Sequence, residues 1–486
     1  MKPHRPAAWT FAAILLAAAA PRLYAETIVS GAIDSGEWTA AGSPYHATAD
    51  LTIAIGNTLV IGPGVTVAFD PDISLVVRGA LEVHGTADGK VRFIRAQPAT
   101  AWGGVALIGA GATGLFQHLE MTQATVAKTG TTDFPAAFKI LTGAKVRVED
   151  SWFHDFPNPA IDSGGQSELV ILDSLVEVCK EAIHSASSFA HIERCTLRNI
   201  TGYSDFIDFD LDSTPHSIVR DCILENNIED DGIDTGETDC LIENVVIRGC
   251  RAGKALSLEG KSTPVLRNIT ISDCKWGLVS KDSCTPEVHH ATITRCEFGI
   301  SCYQKNAGRG GGHGSGDSFI VWDNATQVQL DALSSFDLTF SDVQGGYAGE
   351  GNIAADPLFV DAPANDFHLQ PGSPAIGTGK DDGKDESDMG AWPSIAPPDP
   401  VFLRGDANGD AIVDLSDAVV ILFQSFAVMD PPACPDALDA DDNGDINITD
   451  AIRILQYLFL DGSPPESPYP APGPDPTAGD PLSCRT

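Results

Sequence analysis

The stretch Val219–Ile293 repeats on itself. V-R-D-C-I-L at 219–224 is followed by I-E-N-V-V-I at 242–247 and by L-R-N-I-T-I at 266–271. The pattern extends back to Val148 (V-E-D-S-W-F) and Ile192 (I-E-R-C-T-L). Anchors at Val148, Ile171, Ile192, Val219, Ile242, Leu266 and Val288 fall 23, 21, 27, 23, 24 and 22 residues apart. About ten residues after each anchor comes a second segment: A-I-D (160–162), A-I-H (182–184), F-I-D (206–208), G-I-D (232–234), A-L-S (255–257), G-L-V (277–279) and G-I-S (299–301). Both segments alternate apolar and polar residues, so each is predicted to be a strand with one face inward. Asn, Asp and Gly mark the turns between them. A period in the low twenties with two or three short strands per repeat predicts a solenoid.

The regular Leu/Asn spacing of leucine-rich repeats is missing. Over roughly residues 45–392 the chain resembles the right-handed parallel β-helix family, pectate-lyase-like, in which each repeat is one coil and inward side chains stack in columns. The flanks agree with that resemblance. Leu51–Ile94 looks like the opening coils of exported members, and Asn352–Gly390 like the closing segment of bacterial ones. The fold expected is mainly β, a parallel β-helix over 26–392. A Pro-rich linker follows over 393–401, then a small α-helical calcium-binding domain with a Pro-rich tail over 402–486.

That last domain rests on two twelve-residue loops, D-A-N-G-D-A-I-V-D-L-S-D at 406–417 and D-A-D-D-N-G-D-I-N-I-T-D at 439–450. Ca²⁺ takes six to eight oxygens, which an EF-hand loop supplies from positions 1, 3, 5, the carbonyl of 7, 9 and 12. In the first loop these are Asp406, Asn408, Asp410, the Ile412 carbonyl, Asp414 and Asp417. In the second they are Asp439, Asp441, Asn443, the Asp445 carbonyl, Asn447 and Asp450. An apolar helix is predicted after each loop, over Ala418–Phe426 and Ala451–Leu460. The tandem resembles a dockerin, which implies a Ca²⁺ cofactor and a cohesin-like protein partner. It departs from the pattern at position 6 of the first loop, where Ala411 replaces Gly, and at position 12, where Asp replaces Glu.

The chain has 486 residues and a formal net charge of −37, which makes nucleic acid and anionic membranes poor partners. Lys2, His4 and Arg5 precede an apolar run over Ala7–Ala20, with a plausible cleavage site at Leu23-Tyr24-Ala25. This predicts an export signal over 1–25 and a secreted or cell-surface protein. Eleven cysteines are an odd count, so at least one is unpaired within the chain. Aligned repeats put Cys195 and Cys222 in one inward column and Cys179, Cys250, Cys274 and Cys296 in another. Buried thiols or inter-coil disulfides are both open there. Cys434 and Cys484 flank the second calcium loop and are candidates to clasp the C-terminal module.

The second strand of each coil carries the candidate site. In F-I-D-F-D-L-D (206–212) Asp208, Asp210 and Asp212 point outward, and Asp234 falls beside Asp208 one coil on. Asp230, Asp231 and Glu237 are close by. Ser257 with Glu259, Val279 with Lys281, and Ser301 with Tyr303 follow, bordered by Lys254, Lys261, Asp282 and Lys305. Stacked carboxylates about 4.8 Å apart repel by roughly 3–4 kcal/mol at an effective dielectric near 20, so a cation, a lysine or full solvation must relieve them. One reading is a polysaccharide groove of a uronate lyase or epimerase. There a cation, or Lys261 and Lys281, neutralises a uronate carboxylate, and Lys281, Tyr303 or Lys305 removes the C5 proton. The others are glycan binding without turnover, and an acidic face that keeps an exposed sheet soluble in a structural or adhesive surface protein. His184 aligns with Asp208. His289 and His290, read as strand neighbours, face opposite ways. The run Gly308–Gly316 lacks a phosphate-loop ending and reads as a flexible insertion.

Overall fold

The computed structural model describes residues 26–129, 132–211, 216–380, 388–394, 402–425, 434–473, 482 and 484. The expected export signal, Asp212 and residues 395–401 of the expected linker lie outside the described residues. The chain divides into two compact units. One runs to Pro357 and includes Pro374–Trp392; the other comprises Leu358–Ser373 and the chain from Pro393 on.

The first unit is a parallel β-helix of about 13 turns, its strands joined in one 34-stranded sheet. A typical coil has three strands: Ile161–Gly164, Glu168–Leu172 and Leu175–Glu177, after which the next coil opens at Ile183–Ala186. Each strand pairs in parallel with its counterpart one coil on. The three resulting sheets are called faces A, B and C in that order. The anchors Val148, Ile171, Ile192, Val219, Ile242, Leu266 and Val288 are successive partners on face B. All are fully buried, each contributing roughly 1.5–3 kcal/mol.

One expectation needs correction. The anchor segments from Val148, Ile171, Ile192 and Val219 are each split into two strands, whereas those from Ile242, Leu266 and Val288 run on as one. Each turns a corner at its third residue, where Asp150, Asp173, Arg194, Asp221, Asn244, Asn268 and His290 adopt φ between 49° and 55°. Alternation survives the corner because the next side chain again points inward. Asp and Asn tolerate this left-handed conformation better than other side chains. They also ladder along the axis: the Asn268 amide donates to Asn244 Oδ1 (2.9 Å) and the Asn244 amide to Asp221 Oδ1 (2.8 Å). His290 is thus a corner residue within the strand Glu287–Thr294. His289 is bound elsewhere, to Asp317 (2.9 Å) and Glu287 (3.2 Å).

The residue after the corner explains the cysteines. Ser151 and Ser174 donate to the carbonyl two residues back, Glu149 and Leu172 (both 2.7 Å). Cys195 and Cys222 do the same to Glu193 (3.3 Å) and Arg220 (3.0 Å). At the corner after face C, Cys274 and Cys296 repeat the bond to Ser272 and Thr294. The site needs a small group with one weak donor, which a thiol supplies. All nine cysteines of this unit are buried and outside any disulfide, so the inter-coil disulfide alternative is not realised. Cys434 and Cys484 are disulfide-bonded.

The glycine run is not a loose insertion. Gly311 and Gly312 lie so close to neighbouring coils that a Cβ would meet Leu333 O at 2.2 Å and Ser280 O at 1.8 Å. Ser283 N–H donates to Gly311 O (2.7 Å) and His313 N–H to Cys284 O (2.9 Å). Upstream, Lys305 pairs with Glu259 (2.7 Å) and Arg309 with Glu237, so this strap is tied to two earlier coils.

In the second unit, a hairpin pairs Phe359–Asp361 with Asp366–Leu369. Helices α1 (Leu415–Ser425) and α2 (Ile448–Phe459) pack through Ala418, Ile421, Ala451 and Ile454. Both begin three residues earlier than the apolar runs suggest, because the loops cap them. Asp414 accepts Ser416 N–H (2.7 Å), and Asn447 accepts Thr449 N–H (2.8 Å).

Candidate functional site

Face A presents three outward columns whose rows change character along the axis. Register aligns His184, Asp208, Asp234, Ser257, Val279 and Ser301 in the central column. Asp210, Gly236, Glu259, Lys281 and Tyr303 form one flank. The inward side chains between them, such as Ile207 and Phe209, are buried and fix the rows to the core. Early rows carry carboxylates and later rows lysines, hydroxyls and rings.

The acidic rows are crowded. Asp205, Asp230 and Asp231 bring carboxylate oxygens within 4.8 Å of one another. Burial, then repulsion from Asp231 and Asp234, pushes the Asp205 carboxyl up to about 9. Burial, then Asp210, pushes Asp208 up to about 7. Burial also raises Asp234 despite the nearby Lys281. Asp234 Oδ1 is enclosed and accepts no hydrogen bond. Ionised together these groups need added positive charge. Lys254 gives part of it, its Nζ lying 2.8 and 3.1 Å from the Asp231 oxygens. One coil back, the buried pair Lys139–Asp162 stands behind His184, whose Nδ1 is 3.1 Å from Asp162 Oδ1. The Asp162 hydrogen bond holds His184 up to about 9.

Lys281, 1% exposed, is bound on three sides. Its Nζ donates to Ser257 Oγ (2.7 Å), meets Glu259 Oε2 at 2.9 Å, and lies 3.9 Å from Asp234 Oδ1. Burial lowers its pKa, but Asp234 and Glu259 outweigh that and hold it protonated. Lys305, exposed after the strand that carries Tyr303, shares Glu259. Tyr303 is half-buried beside Lys281. Lys261 is exposed on the turn after the Lys254–Glu259 strand and makes no ion pair among the described residues. Asp282 holds the strap, accepting the Lys305 and Asn306 N–H groups (2.7 and 2.9 Å). Lys139, Asp162 and Asp205 were missed from sequence. Asp205 precedes Ile207 by two residues as Asp231 precedes Ile233, so a column read at that offset would have found it.

In the second unit both acidic loops close on themselves. Asp406 accepts N–H groups from Gly409, Asp410 and Ala411. Asp417 accepts them from Ala407, Asn408 and Asp414. In the second loop Asp439 accepts from Asn443 and Gly444, and Asp450 from Asp441 and Asn447. Asp439, Asp441 and Asp450 place ligand atoms within 4.8 Å of one another. Buried Arg404 supports this loop, donating to the Asp439 carbonyl (2.9 Å) and pairing with Asp442 (2.9 Å). The remaining ligand-type groups, Asn408, Asp410, Ile412, Asp414, Asn443, Asp445 and Asn447, line the same loops. Each loop turns left-handed at positions 4 and 6: Gly409 and Ala411 in the first, Asp442 and Gly444 in the second. Ala411 at φ 67° carries strain of about 1 kcal/mol. Ala411→Gly is therefore expected to relieve it, read as a later unfolding midpoint of the second unit; an earlier midpoint would contradict the strain argument.

The sequence profile of the family described as "Right handed beta helix region" matches residues 181–320, so this coil is a right-handed parallel β-helix. Among curated proteins, Protein bark beetle of Drosophila melanogaster is 31% identical over 84 residues, 17% of this chain; the chain spans 3% of that protein's length. Among solved structures, a pectate lyase is similar at 13% identity over 71% of this chain and 89% of its own (TM-score 0.39). A periplasmic alginate epimerase is similar at 12% over 67% and 85% (TM-score 0.42). The A-module of the Azotobacter vinelandii mannuronan C-5 epimerase is similar at 11% over 68% and 91% (TM-score 0.31). No helix among the described residues is long and apolar enough to cross a membrane.

Proposed function

We propose that face A is a cation-assisted groove for an acidic polysaccharide, acting as a uronate lyase or epimerase in an exported protein. The observation that carries this is the passage, along one groove, from carboxylates lacking enough positive charge to enclosed lysines. Asp205, Asp230 and Asp231 offer the all-oxygen donor set of Ca²⁺. A bound cation supplies the charge that makes the hydrogen next to a uronate carboxylate acidic. Lys254 and Lys281, both held protonated, add to it. Lys281 is better placed as fixed charge than as base, since its donors are taken up by Ser257 and Glu259. Tyr303 and Lys305 remain to receive the C5 proton.

The protein mixed with polygalacturonate, alginate or a glycosaminoglycan and Ca²⁺ is expected to generate the ultraviolet absorbance of an unsaturated uronate, or exchange C5 hydrogen with solvent. Asp231→Asn should slow either about a hundredfold. Silence across the panel with retention on the glycan would leave binding without turnover, a reading the enclosure of Lys281 favours. Silence without retention removes the groove reading.

The second unit serves as a dockerin-like, Ca²⁺-loaded module that attaches the β-helix to a cohesin-like domain. Its duplicated halves leave equivalent apolar residues outside: Leu415 (52% exposed) and Val419 (42%) on α1, Ile448 (50%) and Ile452 (42%) on α2.

A further inference from the structure

We infer that His184, Asp208 and Asp210 form a separate binding site for a borderline divalent metal such as Zn²⁺, Mn²⁺ or Co²⁺, adjoining the all-carboxylate cluster, whose Asp205 lies in the same coil as Asp208. A ring nitrogen of His184 and oxygens of the two carboxylates lie within 4.8 Å of one another, with Nε2 3.5 Å from Asp210 Oδ2. The register puts His184 directly beside Asp208, so a rigid parallel pair of strands presents the donors.

The orientation of the imidazole is what separates this cluster from a chance gathering of acids. Nδ1 is engaged by Asp162, and Asp162 is itself fixed by Lys139; both are only 9% exposed. The carboxylate behind the ring accepts from Nδ1 and turns Nε2 towards Asp210, where a metal would displace the Nε2 proton, the arrangement behind metal-bound histidines generally. Asp208 receives no hydrogen bond or ion pair within hydrogen-bond distance from any described residue, and its strand neighbour Asp234 is another carboxylate. A single imidazolium shared among Asp162, Asp208 and Asp210 would leave negative charge uncompensated, whereas a divalent ion balances it.

The donor set names the class of metal. One nitrogen with two carboxylate oxygens suits Zn²⁺, Mn²⁺ or Co²⁺, while Ca²⁺ prefers oxygen alone. Three protein ligands leave coordination open, as reactive metal sites do and closed structural ones do not. The open positions face the groove, where a carboxylate, hydroxyl or water can bind. The inference does not depend on the polysaccharide reading, because binding is measured without any substrate.

The full-length protein, stripped of metal and then held in excess Ca²⁺ to fill oxygen-only sites, is titrated with Co²⁺ and followed by visible d–d absorption, and with Zn²⁺ by calorimetry. One equivalent with an enhanced d–d band is expected. His184→Gln and Asp210→Asn should each weaken binding at least tenfold, and Asp162→Asn, which frees the ring, about tenfold. Asp439→Ala should change nothing. The inference is overturned if Co²⁺ shows only the spectrum of the aqueous ion. It is also overturned if both His184→Gln and Asp210→Asn, folded by circular dichroism, bind as wild type.

Discussion

Replacing Lys281 with methionine is expected to lower the stability of the β-helix by about 3–5 kcal/mol, read as an earlier unfolding midpoint in urea. The side chain is 1% exposed and its ammonium is the common partner of Glu259 and Asp234. Methionine fills the volume but leaves two partly enclosed carboxylates facing one another with only the exposed Lys305 to help. Most of the loss is the cost of the stranded charges, so adding Glu259→Gln to Lys281→Met should recover a large part of it. A double variant no more stable than the single one would refute this. The pH window follows from the signs. Lys281 is raised in the folded state, so its contribution is full below its ordinary value of 10.5 and disappears as pH rises through the higher folded value. Glu259 is lowered, through Lys305 and Lys281 against its burial, so its contribution is full above 4.5 and disappears as pH falls through the lower folded value. Asp234, raised by burial, works against both while ionised. The penalty for losing Lys281 should therefore be largest between these limits and shrink in acid, where both carboxylates take up protons.

How much of this was legible in the sequence differs by level. Coil period and the face B anchors follow from hydrophobic spacing, because each anchor fills the same place in a stacked core. The alignment of Asp208 with Asp234 follows too, since fixing one inward column fixes every outward one. The corners did not emerge. An αL residue at the third position of V-R-D-C-I-L preserves the apolar alternation that a continuous strand would show, so pattern alone reads through the bend. The cysteines' role escaped for the same reason: their bonds to carbonyls two residues back exist only because of that bend. The three-sided enclosure of Lys281 was equally hidden, because a lysine in an outward column reads as a mobile charge until its neighbours are in place. The glycine run looked like a linker by composition, whereas Gly311 and Gly312 are demanded by backbone atoms of adjacent coils.

Removing calcium at pH 8 is expected to cost the second unit at least about 3 kcal/mol and most of the helical circular dichroism of α1 and α2. Ca²⁺ should restore both. Asp439, Asp441 and Asp450 converge within 4.8 Å, and at an effective dielectric near 20 each pair of ionised groups repels by roughly 3–4 kcal/mol. Asp450, fully buried at the start of α2, feels this most. Burial first, then Asp441 and Asp439, raises its carboxyl from 3.8 to about 7. A raised carboxylate confers stability while protonated and loses it as pH climbs through the folded value, so the calcium-free unit should recover helix as pH falls from 8 towards 5. With calcium the dependence reverses, because protons compete with the ion for the same oxygens. Asp450→Asn separates the two effects. It removes the charge that repels and the ligand that binds, so the variant should hold its helices without calcium yet gain little from adding it. Asp406→Ala should have the smaller effect, since among the described residues the carboxylates of the first loop do not converge as Asp439, Asp441 and Asp450 do. Helical signal at pH 8 indifferent to chelator, in wild type and Asp450→Asn alike, would show that these loops stand by their backbone hydrogen bonds alone.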